Sequence, residues 1–448
     1  MMTETKFTSF ILAAGHGTRM RSDLAKPLHK IGAKPMLGWV IETAHAAGSN
    51  AVCVVTAPHH NDIEAYLQSA YSSVTAVKQK DALGTGHAAQ TALSAIGTQN
   101  QPVLVLFGDT PLITAETCQR LADEIAQGAD VCVLGFETTT PTGYGRLVKD
   151  DQGQLSAIIE EADADEAQKA IRLVNAGVMA FSAEMADEHL ASLTNDNAQG
   201  EYYLTDMVAI AVANEKKVTS VTAQSDEVQG VNSRADLAKV EAALQGRLRD
   251  AAMAMGVTLQ APETVFLSSD TIFEKDSIIE PHVVIGQGCT IKQGACIRAF
   301  SHLEGAVIGK DAIIGPYARL RPGAVLADNV KIGNFVEIKK AILDDGAKVN
   351  HLSYIGDATI GAGANIGAGT ITCNYDGYDK FKTQIGKGAF IGSNTALVAP
   401  VSVGDGAIIG AGSTITKDVT SDDLALTRAQ QKIVPQGGAK FRSRKSKS

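Results

Sequence analysis

The apolar run at residues 8–12 passes directly into Ala13-Ala14-Gly15-His16-Gly17-Thr18-Arg19-Met20, and Lys26-Pro27 follows. Glycines at a strand end let backbone N–H groups approach phosphate oxygens, and Arg19 and Lys26 can neutralise a triphosphate as it is attacked. A bare Gly-x-Gly turn is more often structural; the added Thr-Arg-Met and the later Lys-Pro distinguish this one. It is not a dinucleotide fingerprint, whose third glycine would fall at Met20, nor a Walker loop. Further on, Gln79 and Leu83-Gly84-Thr85-Gly86-His87-Ala88 precede a helical pattern, and Gly108-Asp109 closes the apolar run 103–107. A carboxylate at such a strand end is placed to hold Mg2+ through oxygens shared with nucleotide phosphates. Its plain alternative is a helix cap or turn carboxylate.

A second group lies downstream. Arg321, Lys339, His351, Tyr354, Asn365, Asn374, Tyr375, Lys380, Ser393 and Arg428 interrupt a small, aliphatic pattern. Any one of them alone reads as solvated surface. Together they offer what acyl transfer to an amine needs: a base for the ammonium proton, donors for the oxyanion, and cations for a phosphate on the acceptor. His351 is the natural base, because imidazole titrates near neutrality. Arg321 and Lys339 could clamp a phosphate, the arginine bidentately. A histidine that merely caps a turn is the competing reading.

The elements that must hold these groups differ between the two halves. From about 5 to 230, runs at 8–12, 51–56, 103–107, 131–137 and 178–181 read as strands, the middle ones buried and parallel. Helical patterns at 35–47, 87–96 and 115–127 lie between them. The alternation predicts a doubly wound, Rossmann-like α/β domain with its site at the carboxyl ends of the strands. Ser233 and Asp236 open a capping box, and 233–255 reads as one long helix.

Beyond it an aliphatic or aromatic anchor recurs every six residues. The series runs Leu267, Phe273, Ile279, Ile285, Ile291, Ile297, Leu303, then Ile308, Ile314, Leu320, Leu326, Ile332, Ile338. After further slips of one residue come Leu343, Val349, Ile355, Ile360, Ile366, and finally Ile385, Ile391, Leu397, Val403, Ile409, Ile415. Glycine often follows the anchor. A six-residue period fits a triangular prism whose anchors point inward and whose small residues occupy tight corners, the hexapeptide-repeat parallel β-helix. Three hexads per coil give on the order of eight coils. The phase breaks after Ile366, so 372–383 (TCNYDGYDKFKT) is expected to leave the coil as a functional loop.

Composition agrees with two domains. At 448 residues the chain exceeds what one hydrophobic core usually supports. Of its 43 glycines, 19 lie in 1–256 and 24 in the shorter 257–448. A net charge of −9 argues against a nucleic-acid partner. Only the extreme C-terminus is basic (Lys440, Arg442, Arg444, Lys445, Lys447), and it reads as a frayed, solvated end. No apolar run reaches the length of a membrane span. Cys53, Cys118, Cys132, Cys289, Cys296 and Cys373 show no paired spacing and suggest buried thiols in a reducing, cytoplasmic compartment.

The N-terminal motifs resemble those of the nucleotide-sugar pyrophosphorylases. The two halves together closely resemble the bifunctional N-acetylglucosamine-1-phosphate uridyltransferase/glucosamine-1-phosphate N-acetyltransferases, from Leu12 to about Arg428. The most specific segments are LAAGHGTRM, LGTGHA, GDTPL, GYGR, ARLRPG, NFVEIKKA, HLSY and NIGAGTITCNYDG. The resemblance implies a uridyltransferase domain over 1–232, a linker helix over 233–256 and a left-handed β-helix acetyltransferase domain over 257–448. It implies that acetyl-CoA acetylates glucosamine 1-phosphate. UTP would then react with N-acetylglucosamine 1-phosphate to give UDP-N-acetylglucosamine, a precursor of peptidoglycan and lipopolysaccharide, and pyrophosphate.

By the same resemblance, Leu12, Ala13, Gly15, Gln79, Gly84 and Thr85 contact the uridine nucleotide and Lys26 faces the phosphates. Asp109 and Asn232 match Mg2+ ligands, and Gly145, Glu160 and Asn175 match sugar contacts. Arg321, Lys339, Tyr354 and Asn365 match the acceptor-sugar site, with His351 the catalytic base. Ala368, Asn374, Tyr375, Ser393, Ala411 and Arg428 match the acetyl-CoA region, and Lys380 lies in the adjacent loop. Homotrimers with intersubunit acetyltransfer sites are implied too. Where many relatives place a basic residue two positions after the motif glutamate, this chain has Ala162.

Three rivals compete with this. The β-helix of a pyrophosphorylase can be merely structural, which predicts no acetyltransfer; His351 beside the NYDG loop speaks against that. A zinc hydratase would need histidine ligands, and the repeat region offers only His282, His302 and His351. A non-catalytic trimeric scaffold leaves the N-terminal loop without a purpose.

Overall fold

The structure is a computed structural model that describes residues 5–150, 153–161, 163–197 and 199–445; Ala162 and Lys447 lie outside the described residues. The chain divides into two compact units, Met1–Gln245 and Gly246–Ser448. Among the described residues no helix is long and apolar enough to cross a membrane.

The first unit is an α/β layer structure. Strand Phe7–Ala13 is buried at every position, as expected where helices cover both faces of a sheet. It lies between Ser49–Thr56 and Val103–Phe107 and runs parallel to both, so the carboxyl ends of all three strands share one edge. Across the sheet the order is Val218–Ala223, Val131–Glu137, Leu173–Phe181, Val103–Phe107, Phe7–Ala13, Ser49–Thr56, Thr75–Lys78. The expected helices appear as Met36–Ala46, Thr85–Ile96 and Ala115–Ala126.

One expectation changes. Leu173–Phe181 inserts antiparallel between Val103–Phe107 and Val131–Glu137, so the sheet is mixed. Among its described residues, the segment from Val131–Glu137 to this strand holds a hairpin, Arg146–Lys149 with Leu155–Ile159, and the four-residue helix Glu166–Lys169. None of these is a crossover helix of the length a parallel return needs.

The expected linker is helix Arg234–Ala254. Its entry is the capping pair read from the sequence: Ser233 Oγ accepts the Asp236 N–H at 3.2 Å, and Asp236 Oδ2 accepts the Ser233 N–H at 3.0 Å. The unit boundary falls within this helix, after Gln245.

The second unit is a left-handed parallel β-helix. Strands of mostly two or three residues stack on the strand one coil away. Ile279 pairs Ile297 at a spacing of 18, whereas Leu303 pairs Leu320 at 17, so the one-residue slips in the hexad phase are coils one residue shorter. Every anchor named above is buried in one continuous cluster. One face carries ten strands, more than the eight coils counted. The surplus comes from Thr258–Leu259 and Leu424–Ala425, which lie outside the hexad phase.

The ejected loop is also shorter than expected. Ile371–Cys373 is still a coil strand, with Thr372 in register with the anchor Leu397. Thr372 is fully buried. Its hydroxyl donates to Gly356 O (3.0 Å) and accepts from Gly356 N (2.8 Å), so a satisfied polar group replaces the aliphatic anchor and hides it from the pattern.

Glycines after anchors serve close approach between coils more than turn geometry. A Cβ added at Gly333 would lie 1.9 Å from Asn350 O. Left-handed turns fall two residues later, and at one corner bulky residues adopt them: His282, Phe300, Tyr317, Phe335 and Leu352, with φ of 51–60°. Their rings stack successively at 4.9, 4.9 and 5.3 Å. Phe300, Tyr317, Phe335 and Leu352 are all exposed. In later coils the same corner carries Gly369, Asn394 and Gly412 instead.

Near the end, Gly437–Lys445 is solvated as expected, with no buried residue, but forms a helix.

Candidate functional site

The shared edge of the three parallel strands carries a cavity of about 280 Å³. Leu12, Ala13, Gly15, Lys26, Gln79, Gly84, Thr85 and Asp109, all singled out from the sequence, line it together with His16 and Glu201. Gly84 (φ 104°) starts helix Thr85–Ile96, so the positive end of that helix lies at the cavity wall. Buried Gln79 donates from Nε2 to Gly84 O at 3.1 Å and lies 3.0 Å from His87 Nδ1, which pins the LGTGHA segment.

The four motif glycines do different things. A Cβ at Gly17 would meet Lys26 Cβ at 2.8 Å, and at Gly84 or Gly86 it would meet Tyr202 O at 2.7 or 2.9 Å, so the fold requires all three. At Gly15 it would meet nothing within 4 Å. The fold therefore tolerates a side chain there, and what its absence preserves is space in the cavity.

At the cavity floor the Lys26 ammonium donates to Asp109 Oδ2 and, at 3.2 Å, to Asn232 Oδ1. A carboxylate and an amide oxygen from residues far apart in sequence thus converge on one positive centre. Arg19, expected to share the phosphate charge with Lys26, is exposed and does not line the cavity.

The three sugar-contact candidates form a separate group. The Asn175 N–H donates to Gly145 O at 2.8 Å, and a Cβ at Gly145 would lie 3.2 Å from Glu160 Oε1. Burial, followed by Asp163 and Asp206 nearby, pushes the Glu160 carboxyl above the usual carboxylate range. None of the three lines the cavity itself. Sequence reasoning passed over the part that shapes this group: fully buried Arg146 donates to Tyr144 O, Lys169 O and Glu161 Oε2, and Glu161 Oε2 also accepts the Gly143 N–H. An Arg in GYGR followed by two adjacent glutamates was the available signal.

In the β-helix, His351 ends strand Lys348–His351, one coil on from Asn334, and its Nδ1 lies 2.8 Å from Asn334 Oδ1. An amide oxygen can only accept, so this contact puts the proton on Nδ1 and leaves Nε2 with its lone pair. Asn334, inside NFVEIKKA, is the orienting residue the sequence reading did not single out. The acetyl-CoA candidates follow on successive coils of the same corner. Gly369 N–H donates to His351 O (3.3 Å), Asn394 N–H to Ala368 O (2.7 Å) and Gly412 N–H to Ser393 O (2.8 Å). A Cβ at Gly392 would lie 2.4 Å from Ala411 N, and Arg428 borders Gly412.

The cations gather on a neighbouring face. Lys380 beside Lys339, with Arg321 also near, holds the Lys339 ammonium below the usual lysine range. Arg321 is not a free clamp, because Glu337 Oε1 accepts from its Nη1 at 2.9 Å. Asn374 donates to Asp357, and Tyr375 opens the exposed loop, its hydroxyl donating to Gly377 O at 2.5 Å. Tyr354 is half-buried in register with Glu337, and Asn365 lies on the face that Lys348 and Phe390 share. No hydrogen bond joins Asn365 or Tyr354 to His351 among the described residues.

Comparison with known proteins agrees with both halves. Residues 9–176 match the MobA-like NTP transferase domain, and residues 305–340 and 382–417 match the bacterial transferase hexapeptide (six repeats) model. The bifunctional protein GlmU of Azorhizobium caulinodans is 52% identical over 446 residues, covering 100% of this chain and 99% of that protein. That of a Bradyrhizobium species is 52% identical, with 99% of each chain covered, and that of Zymomonas mobilis is 47% identical over the whole of both. Likeness of this extent, spanning both units and both sets of motifs, means that the chain belongs to the GlmU family of bifunctional proteins.

Proposed function

We propose that this protein makes UDP-N-acetylglucosamine in two reactions: acetyl-CoA acetylates glucosamine 1-phosphate, and N-acetylglucosamine 1-phosphate then takes UMP from UTP, releasing pyrophosphate. Residues 1–232 carry the uridyl transfer, 257–448 the acetyl transfer, and 233–256 join them. The observation that carries this reading is an oriented base, His351 held by Asn334, in a chain that also has a glycine-lined cavity with a Lys26–Asp109–Asn232 floor.

In uridyl transfer, an oxygen of the sugar phosphate attacks the α-phosphorus of UTP. Lys26 offsets the negative charge that accumulates, and the amides of the Gly15 loop and the Thr85 helix face the phosphates. Asp109 and Asn232 would hold Mg2+: their two hard oxygens already point at one positive centre, and Mg2+ takes few protein ligands when it shares nucleotide phosphates. When bound it neutralises phosphate charge. In acetyl transfer, His351 Nε2 takes the proton from the attacking amine while Asn334 holds the other nitrogen, and Lys339 with Lys380 attracts the acceptor phosphate. Ala368, Ser393, Ala411 and Arg428 lie where the corner is bare and acetyl-CoA can lie along it.

The exposed ring column at Phe300, Tyr317 and Phe335 supports a homotrimer, since a contiguous apolar strip ending beside His351 is a surface that a second copy would cover. We place the protein in the cytoplasm because all six cysteines are unpaired.

The direct test supplies glucosamine 1-phosphate, acetyl-CoA, UTP and Mg2+ and follows CoA and pyrophosphate release separately. CoA appears without UTP, and pyrophosphate from N-acetylglucosamine 1-phosphate appears without acetyl-CoA; failure of either half rejects that half. Two variants refine it. Gly15→Ala keeps the wild-type Tm while raising KM for UTP by about tenfold, as an added methyl costs roughly 1–3 kcal/mol where a ligand must fit; a lowered Tm would mean the glycine serves the fold. Phe335→Glu converts the trimer to smaller species by light scattering and removes acetyl transfer, while uridyl transfer stays within about twofold, because a charge at the centre of an apolar contact typically costs several kcal/mol.

A further inference from the structure

Strands Phe7–Ala13 and Ser49–Thr56 are parallel neighbours, so the loops leaving their carboxyl ends meet. One loop carries His16 and the other His59 and His60. The His16 and His59 rings stack, 5.6 Å apart and 5° from parallel, and His60 meets His59 edge-on at 4.3 Å. His60 is 5% exposed, and its Nδ1 has no hydrogen-bond partner among the described residues. Burial, then the neighbouring His59, holds its imidazole below the usual histidine range, so it forms a neutral wall behind the stack.

The charged surroundings are few. Asp62 lies behind His60, but its oxygens accept the N–H groups of Ala25 (3.1 Å) and Ile63 (2.9 Å). Among the other residues that line the cavity, Lys26 and Asp109 engage each other, and Glu201 is a further carboxylate. His16 is thus the exposed ring that borders the cavity and has none of these as a hydrogen-bond partner. Two imidazolium rings at this separation would repel each other.

We propose that His16 is a proton-linked contact for the phosphates of the bound nucleotide: on binding, His16 gains proton occupancy and presents an imidazolium to the diphosphate. The proton comes from solvent and resides on the His16 ring. This inference rests on the nucleotide reading of the cavity and goes beyond it by giving the affinity a pH dependence near neutrality.

The test titrates the full-length protein, with Mg2+ present, with UDP-N-acetylglucosamine, whose diphosphate is doubly esterified and does not itself titrate there. Heats are measured at pH 7 in two buffers of different ionisation enthalpy. The wild type takes up about half a proton per chain, as expected for imidazole titrating around neutrality. His16→Gln takes up almost none and binds about tenfold more weakly at pH 6, yet equals the wild type at pH 8.5, the loss matching one shifted protonation equilibrium. His16→Lys binds well at both pH values without proton uptake, which a purely structural role for His16 would not give. Proton uptake that persists in His16→Gln, or a wild type that binds without any uptake, overturns the inference while leaving the nucleotide reading intact. No binding of UDP-N-acetylglucosamine to the wild type overturns both.

Discussion

Replacing His351 by alanine removes acetyl transfer and leaves uridyl transfer unchanged. The ring is exposed, so its truncation leaves no buried cavity and little effect on stability is expected. What is lost is the one imidazole whose Nδ1 is fixed by Asn334 and whose Nε2 is therefore free to accept a proton. General-base assistance is worth about 10²–10⁴-fold in rate, so CoA release falls by that factor. Pyrophosphate release from N-acetylglucosamine 1-phosphate and UTP stays within about twofold. Asn334→Ala gives a smaller loss, because the ring survives but both tautomers and other orientations become available. If folded His351→Ala lost both activities, the two reactions would not be separable; if it retained acetyl transfer, the base lies elsewhere.

The reverse result is expected at Asp109. Asp109→Asn preserves the shape of the side chain and keeps an oxygen near Lys26, so the fold is retained. It removes the negative charge at the cavity floor that would hold the divalent ion. Charge stabilisation of this kind is worth several kcal/mol, which corresponds to about 10²–10³-fold in rate, and pyrophosphate release falls accordingly. CoA release is unaffected. Chelation of Mg2+ in the wild type reproduces the same split. Uridyl transfer that survives either treatment removes Asp109 and Asn232 from the role proposed for them.

How far these sites could be read from the sequence depended on how locally each part is encoded. The hexad anchors were legible because every one points into a single core, so burial and periodicity are the same signal. Thr372 broke the pattern because a hydroxyl satisfied by both backbone groups of Gly356 can replace an aliphatic side chain. Strand Thr75–Lys78 was invisible for another reason: it is a largely exposed edge strand without an apolar run. The direction of Leu173–Phe181 is set by what the preceding segment lacks, a crossover helix, and not by the residues of the strand itself. The cavity was legible since glycines and charges sit at strand ends, where the topology collects them. Its partners were not. Asn334 meets His351 only because the coils are in register, Glu337 meets Arg321 from the adjacent coil, and Arg146 meets Glu161 through a hairpin. The departure at Ala162 lies outside the described residues.

The corner that changes from rings to glycine at His351 also has a genetic meaning. Each coil contacts chiefly its neighbours, so a whole coil is the natural unit by which such a prism lengthens or shortens. Coils before Arg321 carry part of the stacked column without any of the proposed site residues and are the ones that could multiply as spacers. Coils after His351 carry the corner without rings, where the residues proposed to bind acetyl-CoA lie. If acetyl-CoA lies along that corner as proposed, the first stretch is free to vary in coil number while the second has its count set by the length of the ligand.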